Sequence, residues 1–95
     1  MQPISSMSRE YLNIFVGNAL GSEPVEIALT VPGVEPADDA WHPAIWGDVS
    51  DHGAVARLLI GPGAVPLSDG TYQAWVRVTR PDERPVLPSG LVPII

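Results

Sequence analysis

The chain has no cysteine. A disulfide framework and a thiolate metal site are both excluded, and cysteine usage leaves the redox compartment open. Lysine is missing too. The only cations are five scattered arginines, Arg9, Arg57, Arg77, Arg80 and Arg84, and the formal net charge is −6. That balance argues against a phosphate backbone as partner, because such binding needs clustered positive charge. No apolar run approaches the roughly 20 residues that cross a bilayer. The N-terminal residues also lack the charged segment and apolar core of a secretory signal. The expectation is a soluble chain made in the cytoplasm, with neither nucleic acid nor membrane as partner.

No stretch carries a convincing helical period. What the sequence does carry is short apolar runs punctuated by eleven prolines and nine glycines, the pattern of a β-protein with many loops. Its 95 residues, 45% of them hydrophobic, suffice for one domain with one core and are too few for two. Extended segments are predicted over residues 11–16, 25–31, 54–60, 72–79 and 86–95. Residues 41–47 resist assignment because Pro43 removes a ladder donor. About seven short strands separated by frequent turns predict an all-β, immunoglobulin-like antiparallel sandwich. Residues 10–95 form its single domain, and residues 1–9 form an N-terminal arm.

The sharpest local signal is Leu-Ser-Asp-Gly-Thr-Tyr-Gln-Ala-Trp-Val-Arg-Val over residues 67–78. A turn at Gly70 delivers Tyr72 to the start of a strand of period two, as in the tyrosine corner of immunoglobulin-like sandwiches. The expectation is a buried Tyr72 whose hydroxyl bonds to backbone in the preceding turn. Ala74 then takes the inward place of the second cysteine of an antibody domain. Ile27 or Leu29 should stand opposite it, and Trp46, or alternatively Trp41, should serve as the core tryptophan.

The same register turns Trp75 and Arg77 outward, and Tyr11 and Phe15 point outward if Leu12, Ile14 and Val16 point in. Rigid aromatics beside an arginine have the composition of an interface centre. A terminal segment folded over the rings would explain them equally well. His42, Asp48, Asp51 and His52 mix ligand types suited to zinc or manganese, but their spacing fits no metal pattern and a solvated loop accounts for them. Glu35, Asp38 and Asp39 lack the EF-hand pattern of a calcium site. No nucleophile is placed with a base, so the reading is a non-enzyme without cofactor or metal.

Four short motifs occur in order: Ser8-Arg9-Glu10-Tyr11-Leu12, Trp41-His42-Pro43 with Trp46, Leu59-Ile60-Gly61-Pro62-Gly63, and Leu67-Ser68-Asp69-Gly70-Thr71-Tyr72. Together they resemble small virion proteins of actinobacterial tailed phages and prophages, typically encoded among the head and head–tail genes. Lysine codons are AT-rich, so the absence of lysine agrees with a host of high GC content. The resemblance implies a structural protein of the virion with no catalytic residues. It would decorate the capsid or sit at the head–tail junction, in many copies, contacting capsid or connector subunits through sheet edges and the aromatic face. The arm, Trp75, Arg77 and either Tyr11 or Phe15 are expected at those contacts. The alternative is a free-standing module that binds a glycan or a cell-surface protein through loops bearing Trp41 and Trp46.

Overall fold

The computed structural model describes residues 2–95, and among them there is no helix. Seven strands form two antiparallel sheets. They are β1 (Glu10–Gly17), β2 (Val25–Thr30), β3 (His42–Pro43), β4 (Ile45–Ser50), β5 (Gly53–Ile60), β6 (Gly70–Val78) and β7 (Val86–Ile94). One sheet has the order β1-β5-β4 and the other β3-β2-β6-β7. This is the B-E-D and C′-C-F-G arrangement of an immunoglobulin-like sandwich.

The layering follows from alternation along the strands. On β1, Leu12, Ile14 and Val16 are buried while the residues between them are exposed, and on β5 Ala54, Ala56, Leu58 and Ile60 repeat the pattern. On β6 the inward set is Ala74, Val76 and Val78. With Val25, Ile27, Val92 and Ile94 these residues make one core between the sheets, as expected when each strand sends every second side chain inward. No described residue with a polar or charged side chain is buried.

The first strand of an immunoglobulin-like fold is reduced here to a single bridge. Ile4 lies parallel to Ile94: its N–H donates to the Pro93 carbonyl at 2.9 Å, and Ile95 N–H donates to the Ile4 carbonyl at 2.9 Å. Ser6 N–H adds a bond to the Ile95 carbonyl at 2.7 Å. The arm is thus tied to its own domain, and Ile4 packs against the core.

That reduction corrects the expected strand roles. Residues 11–16 make the second immunoglobulin strand and β2 the third, so Leu29 is not across the sandwich from Ala74. It is Ala74's direct neighbour in the same sheet, as Ile27 is of Val76. The sheet that faces Ala74 is the one containing β1. Trp46 does not lie on the third strand either. It sits on β4, half-buried against the core, and its indole N–H donates to the Glu23 carbonyl at 2.7 Å.

The corner at the start of β6 forms. Tyr72 Oη donates to the Ser68 carbonyl at 2.8 Å, and the Ser68 hydroxyl lies 3.3 Å away. The ring packs against the core, but the residue is half-buried rather than buried. Gly70 opens the strand with φ of 148°, a conformation that favours glycine. At the end of β5, Gly61 has φ of 109°, and a Cβ there would collide with the Ser8 carbonyl.

Candidate functional site

The four outward residues singled out in the sequence divide between the two outer faces of the sandwich. Tyr11 and Phe15 belong to β1 in the three-stranded sheet, and Trp75 and Arg77 belong to β6 in the other. A single aromatic patch of all four is ruled out by topology. The sequence period gives the side each residue faces but not which strands share a sheet.

On the outer face of the three-stranded sheet, strand register brings Tyr11 opposite Leu59, Asn13 opposite Arg57 and Phe15 opposite Val55, with Ile45 on the far side of Arg57. Phe15 is 59% exposed, Ile45 53% and Tyr11 37%. Arg57 lies at the centre. Its guanidinium stacks 4.0 Å over the Tyr11 ring, and its Nε donates to Asn13 Oδ1 at 3.2 Å. The arginine is thereby held flat against the sheet, leaving an apolar surface around one fixed cation.

The outer face of the four-stranded sheet is differently built. Arg77 pairs with Glu26 on the neighbouring strand at 2.8 Å, and its guanidinium sits 4.5 Å over the Trp41 ring. The Trp75 indole N–H donates to Thr30 Oγ1 at 3.0 Å. Ala28, the cross-strand neighbour of Trp75, is fully buried although it points away from the core, so larger side chains cover this face. The loop that ends at Trp41 is one wall of an open cleft of about 310 Å³, whose lining includes Glu35, Asp38, Trp41, Trp75, Arg77 and Arg84. No described residue of the N-terminal arm contributes to that lining, and the C-terminal segment contributes Val86, the neighbour of Arg77 on β7. Arg77 is therefore committed to internal partners, and Trp75 lies half-buried in the cleft.

Trp41 and Trp46 do not form a pair of exposed loop rings. Trp41 belongs to the cleft, whereas Trp46 is bonded to Glu23 next to the core. Asp51 and His52 lie in the turn between β4 and β5, Asp48 is on β4, and His42 is on β3 in the other sheet. Among the described residues no three His, Asp or Glu side chains converge as a metal site would require.

Sequence reasoning missed Glu23. Its carboxylate accepts from the Leu20 and Gly21 N–H groups at 3.0 and 3.1 Å and from Arg80 Nε at 3.3 Å, while its carbonyl holds Trp46. Burial pushes its carboxyl up, but hydrogen bonds from its own backbone, from Leu20, from Arg80 and from Gly21 outweigh this and hold it below the usual glutamate range. A turn-region acid followed by proline was the only sequence cue. Its partner Arg80 lies 57 positions away. The chain matches no protein family model, and neither a curated protein nor a solved structure matches it.

Proposed function

We propose that this chain is a non-enzymatic structural module of a phage particle, assembling with capsid or connector subunits through the outer face of the β1-β5-β4 sheet. The observation that carries this reading is the exposed apolar surface of Tyr11, Phe15 and Ile45 around the immobilised Arg57. Aromatic residues and arginine concentrate at interface centres, and a fixed arginine loses less side-chain freedom on docking than a mobile one. The virion setting rests on the resemblance of the four ordered motifs. Ile45→Asp places a charge in this face without touching the core, since Ile45 is exposed. In particles assembled with the variant as the sole copy, the protein should be depleted while its thermal unfolding in isolation stays near that of the parent. Full incorporation would remove the face from the assembly reading.

The cleft beside Trp41 and Trp75 favours a second reading, a recognition module for a small polar ligand such as a glycan. Aromatic walls with carboxylates and an arginine at the rim suit sugar hydroxyls. In that case Trp75→Ala abolishes saturable binding by the isolated protein, and Ile45→Asp leaves it intact.

A further inference from the structure

We infer that the open edge of β1 pairs antiparallel with β1 of a second copy of this chain, about a two-fold axis through Asn13. The inference rests on the assembly reading above and deepens it by naming one partner.

Three of the four sheet edges are protected in the ways β-proteins commonly use against strand addition. The β7 edge carries Pro88 and Pro93 and is bridged by Ile4. β3 is two residues long and includes Pro43, and β4 has a register shift between Trp46 and Val49. β1 has none of these features. It runs eight residues, Glu-Tyr-Leu-Asn-Ile-Phe-Val-Gly, without proline or register shift, and its only charged side chain is Glu10. The acidic excess of the chain therefore does not oppose association along this edge.

The backbone phase can be read from the end of the strand. Asn18 N–H donates to the His52 carbonyl at 2.9 Å, continuing the register in which Gly17 lies opposite Gly53. Antiparallel ladders alternate, so even-numbered residues of β1 direct their N–H and C=O toward β5. Tyr11, Asn13, Phe15 and Gly17 direct theirs to the open side. The Asn13 side-chain amide donates to the Tyr11 carbonyl at 3.4 Å, as a carbonyl turned away from β5 allows.

Face and phase together restrict the register. Buried Leu12 and Ile14 must oppose inward residues of the second copy, and exposed Tyr11, Asn13 and Phe15 must oppose outward ones. Centring the pair on Asn13 sets Leu12 of each copy opposite Ile14 of the other, leaves Val16 beside Glu10 at the ends of the seam, and sets Tyr11 opposite Phe15, a favourable aromatic cross-strand pair. The Asn13 pair and the two Tyr11–Phe15 pairs then each exchange two backbone hydrogen bonds. An open cleft of about 330 Å³ lies between the arm at Gln2, Pro3 and Ile4 and the first half of β1, and the backbone bonds of the described arm residues go to Pro93, Ile95 and Ser5 rather than to this edge. Two strands of this length bury less than the ~1,200 Å² of a standard stable complex. The contact is therefore a weak dimer in solution, strengthened by multivalency in an assembly.

The absence of cysteine makes a clean test possible. In the full chain, Asn13→Cys brings two sulfurs together at the axis, since directly opposed Cα atoms lie about 5.5 Å apart, within disulfide range. Tyr11→Cys leaves its two copies about 14 Å apart, four residues along the strand, and Ser22→Cys, in an exposed loop, reports random collision. Under mild oxidation, Asn13→Cys should form a covalent dimer at least tenfold faster than either control. Equal rates at all three positions overturn the inference, as does preferential cross-linking at Tyr11→Cys. Asn13→Pro removes an N–H that β5 does not use and should abolish concentration-dependent association of the otherwise native protein. Persistence of that association in a folded Asn13→Pro variant also overturns the inference, and the cysteine comparison stands if this variant does not fold. Ile45 is on β4, away from the seam, so failure of the Ile45→Asp incorporation test and failure of cross-linking are separate results.

Discussion

Replacing Tyr72 by phenylalanine removes one hydroxyl and leaves the ring in place. The lost bond is the 2.8 Å donation to the Ser68 carbonyl. A net intramolecular hydrogen bond contributes about 0.5–1.5 kcal/mol, and the larger penalties arise when an acceptor is left dry. Ser68 is exposed, so water reaches its carbonyl in the variant and the cost falls in the lower half, about 0.5–1 kcal/mol. For a domain of this size that is a fall in Tm of about 2–8 °C, with the urea midpoint moving down at unchanged slope. Because the accepting atom is main-chain, the effect should persist in a Ser68→Ala background, where only the 3.3 Å hydroxyl contact is missing. Urea unfolding of parent, both single variants and the double variant measures this. An unchanged midpoint for Tyr72→Phe, or an effect that disappears with Ser68→Ala, would refute the corner as a main-chain tether.

Ala74 is 1% exposed, and overpacking such a site costs about 1–3 kcal/mol, so Ala74→Leu should lower Tm by about 4 °C or more; an unchanged Tm would refute the inward register of β6. Gly61→Ala should cost at least about 2 kcal/mol by denaturant unfolding, because it combines a left-handed backbone with the collision at the Ser8 carbonyl. Glu23 has its carboxyl lowered in the folded state, so its contribution is full above the ordinary glutamate pKa of about 4.3 and is lost as pH falls through the lower folded value. Glu23→Gln should therefore be less stable than the parent at neutral pH, and the gap should narrow in acid; a constant gap across that range would contradict the charge-dependent role.

The fold class was legible because inward residues alternate strictly along β5 and β6 and because glycine and proline mark most of the turns. The corner was legible from Gly70 and Tyr72 alone. Strand roles were less so. Nothing local distinguishes residues 10–17 as the second immunoglobulin strand rather than the first, since that depends on the arm at Ile4 forming only a bridge to β7. With the roles shifted by one, Leu29 moved from an opposing sheet to the neighbouring strand, and Trp46 left the core position for β4. β4 itself was hidden because Gly47, Asp48 and Ser50 resemble a loop, and its pairing with β5 supplies the order that local composition does not. The outward direction of Tyr11, Phe15, Trp75 and Arg77 was readable from period two, whereas their division between two faces is a property of sheet order. Trp41 over Arg77, and Glu23 with Arg80, depend on long-range closure and have no local signature.

The central claim, that the face around Arg57 docks on a particle subunit, is tested most directly by a reconstruction of the particle containing this protein at side-chain resolution. The account predicts the sandwich bound with Tyr11, Phe15, Ile45 and Arg57 buried against a capsid or connector subunit. A particle without the protein, or one in which that face points to solvent while the Trp41 and Trp75 cleft makes the contact, would contradict it.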